Sequence, residues 1–437
     1  MLIEFTVGNF RSFNEPATLS MVAANITSKD KELDENNVFK AKDKLSLLKS
    51  AAIYGANASG KSNLIKALAF MRSFVLNSAR ETQVTDKISI ETFRLGSTDA
   101  NKPAFFEIVF LIEGKQYRYG FKVTTEKVIE EWLYYVPTIR EATLFTRDSA
   151  SIHPAKAFKE GHGIEGRTRD NALFLSVVAQ FNGEVAKEIL GWFQNLEIVS
   201  DLTYINYNRT TEMLYDDNSR EAVVQLLREF DLGLDDIIVE KTVIDSESPL
   251  ERTQNIMRIS SLGNFNMILP RKDKDNRIET LTVKTIHRKF GDNGEAFEAF
   301  NIKEHESEGT RKIFALVAPI LDSLKNGRTL IIDELDARLH PLLTHKILEI
   351  FNSNQTNSHK AQLIFTTHDT NLLNNKLFRR DQIWFTQKNR YSATQLFSLV
   401  EYKVRNDASF EKDYIQGKYG AIPFIGNIDQ IFSETNG

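Results

Sequence analysis

The stretch Ser50-Ala51-Ala52-Ile53-Tyr54-Gly55-Ala56-Asn57-Ala58-Ser59-Gly60-Lys61-Ser62-Asn63-Leu64-Ile65-Lys66-Ala67-Leu68-Ala69-Phe70 decides the fold. An apolar run, a glycine loop and a helix-patterned segment follow one another, so the expected order is strand, loop, helix. This is the order of a P-loop, whose glycines let backbone N–H groups curl around phosphates at a helix N-terminus. The lysine reaches the β/γ-phosphates and the hydroxyl that follows it ligates Mg²⁺. On this reading Gly55, Asn57, Ser59, Gly60, Lys61, Ser62 and Asn63 bind the nucleotide, with Lys61 catalytic and Ser62 on the metal. An ordinary glycine turn before a helix shares the spacing, and the flanking strand and helix separate the two.

Composition sets the frame for such a machine. With 437 residues, 41% hydrophobic and 26% charged, the chain can bury one large core or two moderate ones. A formal net charge of -4 gives no global electrostatic case for nucleic acid or membrane binding. Zero cysteines exclude disulfides and thiolate metal sites and fit a reducing compartment. The start Met1-Leu2-Ile3-Glu4-Phe5 lacks a basic-then-apolar signal pattern. No stretch approaches the roughly 18 uninterrupted apolar residues of a membrane span. The expectation is a cytoplasmic protein with no membrane contact.

The second half of a nucleotide site lies far downstream, in Arg328-Thr329-Leu330-Ile331-Ile332-Asp333-Glu334. Apolar residues ending in two acids read as a buried parallel strand whose carboxylates emerge at its C-terminal end, where open α/β sheets bind ligands. Asp333 is then the expected Mg²⁺ ligand, and Glu334 the group that orients and polarises the attacking water. Upstream, Glu306-Ser307-Glu308-Gly309-Thr310 precedes a helical pattern over 311–321. Downstream come Leu335-Asp336-Ala337-Arg338-Leu339-His340-Pro341 and Leu363-Ile364-Phe365-Thr366-Thr367-His368-Asp369.

This order resembles the ABC-type ATPases: P-loop, signature loop, adjacent Asp-Glu, D-loop and switch histidine. The resemblance implies ATP and Mg²⁺, a γ-phosphate bond from His368, and nucleotide contacts from Ser307, Gly309 and the D-loop residue Asp336. It also implies a homodimer in which the signature loop meets the nucleotide of the other subunit. The signature departs from Leu-Ser-Gly-Gly-Gln, with Glu308 and Thr310 in place of its first glycine and its glutamine. Ser307 and Gly309 still offer a hydroxyl and a bare N–H at a helix N-terminus. A plain N-cap with an acid in the first turn is the alternative at this position. Glu308 is expected to point away from phosphate.

Between the halves no sustained heptads announce a coiled coil. Residues 105–112, 116–123 and 131–136 read as strands. The segments 185–193 and 221–230 carry helical apolar stripes, best read as packing faces. Stretches 245–253 and 271–277 read as exposed loops, and Asp273-Lys274-Asp275 as a solvated triplet within one of them. The expected architecture is α/β: an ABC-type P-loop ATPase head with a mixed sheet and an inserted, mainly helical lobe. Its parts are residues 1–155, an inserted lobe over 156–295, and a returning head part over 296–437. The helices between about 171 and 236 are expected to form a docking or dimer-extending lobe, and 410–425 a packed cover or a route to a partner.

Nearly the whole chain resembles the ATPases related to the overcoming-lysogenisation-defect proteins and to RloA- or AbiL-type bacterial defence ATPases. Besides the ATPase motifs, the likeness rests on Val7-Gly8-Asn9-Phe10-Arg11-Ser12-Phe13, on Tyr117-Arg118-Tyr119-Gly120-Phe121 with Glu131-Trp132-Leu133-Tyr134, on 168–176 and on 419–424. It implies that Arg11 lies near the nucleotide, with a surface salt bridge as the equal alternative. It further implies an antiviral, anti-phage sensor or scaffold controlling a separately encoded effector, toxin or nuclease in response to a phage-derived trigger. The remaining chain after His368 carries no Asp-x-Asp pair, so no metal-dependent nuclease domain is expected. A DNA-maintenance clamp of the SMC-like class is the alternative, and the run Thr282–Lys289 is the densest basic cluster it could use.

Overall fold

The computed structural model describes residues 1–96, 102–200, 207–245, 267–269, 277–290, 296–405 and 408–423. The chain divides into two compact units. The first comprises Met1–Ser200, Gly327–Leu335 and Leu348–Gly437, and the second Asp201–Asn326 and Asp336–Ile347. Both are mixtures of helix and strand.

In the first unit, Ser50–Tyr54 forms a strand with every residue buried. Such a strand needs cover on both faces, as parallel sheets have. It lies inside a six-stranded sheet in the order Glu197–Val199, Thr329–Ile332, Gln362–Thr366, Ser50–Tyr54, Ile383–Lys388, Thr394–Ser398. All neighbours pair in parallel except the last, which returns antiparallel. A seven-stranded antiparallel sheet holds Ala104–Ile112, Lys115–Val123 and Val128–Val136, together with the first strand Leu2–Gly8. The helix Lys61–Asn77 follows the glycine loop. Its buried Leu64, Ile65, Leu68 and Met71 share one apolar core with Ile53, Ile331 and Ile364 of the first sheet and Phe106, Tyr119 and Phe121 of the second. Gln362 stitches the sheets, its amide accepting from Leu2 N at 2.7 Å and donating to Leu2 O at 2.9 Å.

The division differs from the expected boundaries at 155 and 295. The helices Phe174–Gln180 and Glu184–Gln194 belong to the first unit, where Phe174, Leu175, Ala186, Ile189 and Phe193 are buried in its core. Their apolar faces are therefore spent on internal packing, and the expected docking lobe over 171–236 does not form as one piece. The second unit takes in the signature helix Glu308–Asn326. Beside Asn208–Tyr215 and Asp217–Glu229 it also carries a four-stranded sheet of Asp236–Asp245, Arg277–Lys289, Met267–Leu269 and Ala296–Asn301. The basic run Thr282–Lys289 is a strand of that sheet. Residues 246–253 and 271–276, with the Asp273-Lys274-Asp275 triplet, lie outside the described residues, as do 424 and 425 of the C-terminal segment.

The outer family markers acquire physical reasons. Glu131 is fully buried and accepts from Tyr119 Oη at 2.9 Å, Phe174 N at 2.7 Å and Leu175 N at 3.0 Å, so it caps the helix Phe174–Gln180. Arg147 stands 3.8 Å away and donates to the carbonyls of Ala172, Arg169 and Asp170. Burial pushes the Glu131 carboxyl above its ordinary range, while Arg147 and the amides oppose that rise. Arg169 and Asn171 then reach the chain just beyond the P-loop helix, at Ser78, Ala79, Thr82, Gln83 and Asp86. The segment from Phe410 packs on the sheet, with Tyr414 stacked on Phe385 at 5.4 Å and Tyr419 tilted against it at 5.8 Å.

Replacing Glu131 by Ala leaves two helix N–H groups buried without their acceptor and Arg147 without its counter-charge. The expected loss is about 3–5 kcal/mol of unfolding free energy, read from urea melts. A melt unchanged within error would contradict the capping role.

Candidate nucleotide site

Parallel strands in register end along one edge, and three adjacent ones deliver the expected residues there. Ser50–Tyr54 runs into the glycine loop, Gln362–Thr366 into His368, and Thr329–Ile332 into Asp333 and Glu334. All three belong to the first unit.

The loop is shaped by contacts that the local sequence does not announce. Gly60 has φ +117°, and a Cβ there would stand 2.2 Å from Thr394 Oγ1. Only glycine fits. Thr394 Oγ1 bonds Ser59 O and Ser12 Oγ, each at 2.8 Å. Ser12 Oγ also accepts from Asn63 Nδ2 at 2.7 Å, and Ser59 Oγ meets Thr386 Oγ1 at 2.6 Å. Ala58, at the loop tip, sits in the left-handed region with φ 61°. Lys61 is 5% exposed and its Nζ donates to Gly55 O at 2.9 Å and Ala56 O at 3.1 Å. The ammonium thus lies inside the loop, on neutral acceptors that a phosphate oxygen would outcompete.

Across the edge, Thr366 joins the two acids. Its hydroxyl donates to Asp333 Oδ1 at 2.5 Å and accepts from Glu334 N at 2.7 Å. Asp333 is 6% exposed, whereas Glu334 faces solvent from a left-handed backbone with φ 52°. A non-glycine residue held there costs roughly 1–3 kcal/mol, a conformation that the bond from Glu334 N to Thr366 helps to hold. The backbone around His368 is braced by Thr367 N on Ile53 O at 3.1 Å and Asp369 N on Thr367 Oγ1 at 2.9 Å; the side chain itself is exposed. Among the described residues no group of three or more acidic, histidine or cysteine side chains could hold a metal alone. One hydroxyl, Ser62, and one carboxylate, Asp333, suit Mg²⁺, which keeps waters and takes phosphate oxygens for the rest of its shell.

Ser307, Gly309 and Asp336 fall in the second unit. Ser307 Oγ accepts from Thr310 N at 3.1 Å, so the N-cap geometry is present. Glu308 is paired: Arg338 Nε stands 3.1 Å from it and Arg311 Nη2 3.9 Å. Gly309 is packed against the D-loop, where a Cβ would meet Arg338 O at 2.7 Å. Lys312 Nζ donates to Ala337 O at 2.9 Å, binding signature helix and D-loop together. Arg11, in the first unit, forms an ion pair with Glu91 at 3.0 Å, the second of its two expected roles. Gln83 lies in an exposed loop, its N–H on Asp86. Thr366, Thr394, Ser12 and Arg338 are the working residues that the sequence reading passed over. Thr366, Ser12 and Arg338 stand inside recognisable motifs, but nothing local shows what they bond, and Thr394 carries no local signal.

A glycine loop with a buried lysine and an Asp-Glu pair, both at the ends of parallel strands of one sheet, define the P-loop ATPase class with a mixed α/β fold. Residues 50–374, well over half of the chain, match the family described as "AAA domain, putative AbiEii toxin, Type IV TA system", and the chain belongs to that family. No curated protein matches the sequence. Among solved structures, the SMC head domain from Thermotoga maritima aligns over 91% of this chain and 98% of that chain, at 13% identity and a TM-score of 0.38.

Gly60→Ala is expected to cost about 2–3 kcal/mol. Combining it with Thr394→Ala should recover part of that loss, because the nearest clashing atoms disappear while the positive φ stays. Thermal melts of the single and double variants check this, and additive losses would contradict it.

Proposed function

We propose that this chain is a Mg²⁺-dependent ATPase that works as a nucleotide-sandwich homodimer. The observation that carries the reading is the Thr366 hydroxyl bridging Asp333 and Glu334 one strand away from the P-loop. In this reading the amides of Gly55–Ser62 cradle the phosphates, and Lys61 leaves the Gly55 and Ala56 carbonyls for β/γ-phosphate oxygens. Ser62 and Asp333 hold Mg²⁺, which neutralises charge on the phosphates. Glu334 orients the attacking water and takes its proton, and His368 bonds the γ-phosphate from the same subunit. Arg11, if released from Glu91, adds a cation near the nucleotide. Ser307, Gly309 and Asp336 complete the site of the second copy. The pairing of Glu308 with Arg338 supports this role, since it compensates the Glu308 charge at that helix N-terminus.

The biological reading is a cytoplasmic defence ATPase, a sensor and scaffold that holds a separately encoded effector or toxin and releases or activates it on a phage-derived trigger. Support comes from the toxin named in the family's description. Further support comes from the strand Arg277–Lys289, where the alternative, a DNA clamp, would find its densest basic cluster. There Lys284 pairs with Glu240 at 2.7 Å, Arg288 with Asp235 at 3.0 Å and Lys289 with Glu298 at 3.0 Å. Paired charges offer little to a phosphate backbone.

Glu334→Gln is expected to lower turnover by about 100-fold or more and to accumulate an ATP-bound dimer, measured by light scattering after gel filtration. Lys61→Ala should weaken nucleotide binding instead. Equal turnover by wild type and Glu334→Gln would sink the assignment of the base. Co-purification with the product of a neighbouring gene is the outcome expected of the defence reading; ATPase activity stimulated by duplex DNA and lost with salt would favour the clamp.

A further inference from the structure

The signature loop is clasped from behind by the inserted sheet. The strand Arg277–Lys289 pairs antiparallel with Ala296–Asn301, placing Thr285 opposite Phe300. After Asn301 only the single helical turn Ile302–His305 separates the sheet from Glu306, Ser307 and the signature helix. Glu306 folds back onto the strand. Its Oε1 accepts from Thr285 Oγ1 at 2.6 Å and lies 2.8 Å from His287 Nε2. The Glu306 side chain is 10% exposed and Thr285 is fully buried. His287 packs edge-on against Phe300 at 5.3 Å, and Phe300 touches His305 at the same distance. A nearly buried carboxylate with two donors is a strong, directional contact, and the next residue in the chain is Ser307.

We infer that Glu306 is a positioning residue: by clasping Thr285 and His287 it sets the aim of Ser307 and Gly309, making the inserted sheet an input to ATP hydrolysis. The inference rests on the ATPase reading for its consequence and on geometry alone for the clasp. A partner that shifts the strand would shift the signature loop with it, because no slack separates them. An acid has no phosphate-binding use at this position, so the clasp also supplies a reason for its presence.

The experiment uses the full chain in four forms: wild type, Glu306→Ala, Glu306→Gln and His287→Ala. Hydrogen exchange is followed at the amides of Thr310 and Arg311, which bond Ser307. Glu306→Ala and His287→Ala should speed exchange there on the order of 10-fold while the helix Lys61–Asn77 stays protected. Glu306→Gln keeps an acceptor oxygen and should stay near wild type. Unchanged exchange in Glu306→Ala would overturn the clasp, whether or not the wild type hydrolyses ATP. Turnover is then compared: kcat should fall on the order of 10- to 100-fold in Glu306→Ala, with affinity for a fluorescent ATP analogue unchanged and turnover rescued in Glu306→Gln. A loosened loop with wild-type kcat would overturn the coupling. Absent hydrolysis in the wild type would refute the ATPase reading and leave the clasp to the exchange result.

Discussion

Backbone pairing of Ser50–Tyr54 on both edges is the constraint from which the rest follows. The strand is buried on both faces and flanked by Gln362–Thr366 and Ile383–Lys388. Every N–H and C=O must find its partner along those neighbours, since water cannot reach them. Register is therefore fixed: Thr366 falls opposite Ile53, Phe365 opposite Ile332, and Phe385 opposite Tyr54. Because parallel strands in register end together, the P-loop, the acids and His368 arrive at one edge without any long-range device of their own.

A tier of hydroxyls sits beneath that edge. Ser12, Ser59, Thr386 and Thr394 bond one another or the loop backbone, and Thr366 bonds the Asp333 carboxylate and Glu334 N. Each bond contributes on the order of 1 kcal/mol net, which is modest for folding. Their weight lies in direction. A phosphate cradle made of backbone amides works only if the loop is held before the ligand arrives, and these side chains hold it from below and behind. The non-glycine residues with positive φ at Ala58, Glu334 and Arg338 fall in the same motifs, as expected where surrounding contacts over-determine the backbone.

Polar side chains nearly or fully buried elsewhere serve the same end at a distance. Glu131 and Arg147 fix the segment 169–175, and Arg169 grips the carbonyls that follow the P-loop helix. The helix that carries Lys61 is thus anchored at its far end by residues from another part of the chain. In the second unit the departure of the signature from its usual form is absorbed locally. Glu308 is matched by Arg338, and Gly309 makes room for that residue's carbonyl.

The sequence by itself determined the elements whose signals are local. The strand Ser50–Tyr54, the glycine loop and helix after it, the strands over 104–136 and the acid pair after Thr329–Ile332 were all legible, because period and turn chemistry are written residue by residue. Only the tertiary structure decided which elements share a core. The helices Phe174–Gln180 and Glu184–Gln194 read as part of a separate lobe, yet they pack in the first unit, since an amphipathic stripe states that a face is buried and not against what. The four-stranded sheet of the second unit was hidden for a related reason: much of its strand pattern is polar on one face and interrupted by charge. Ser12, Thr394 and Arg338 could not be found from spacing at all. Their partners lie far along the chain, and a hydrogen bond or a close backbone approach becomes visible only when folding has brought both ends together.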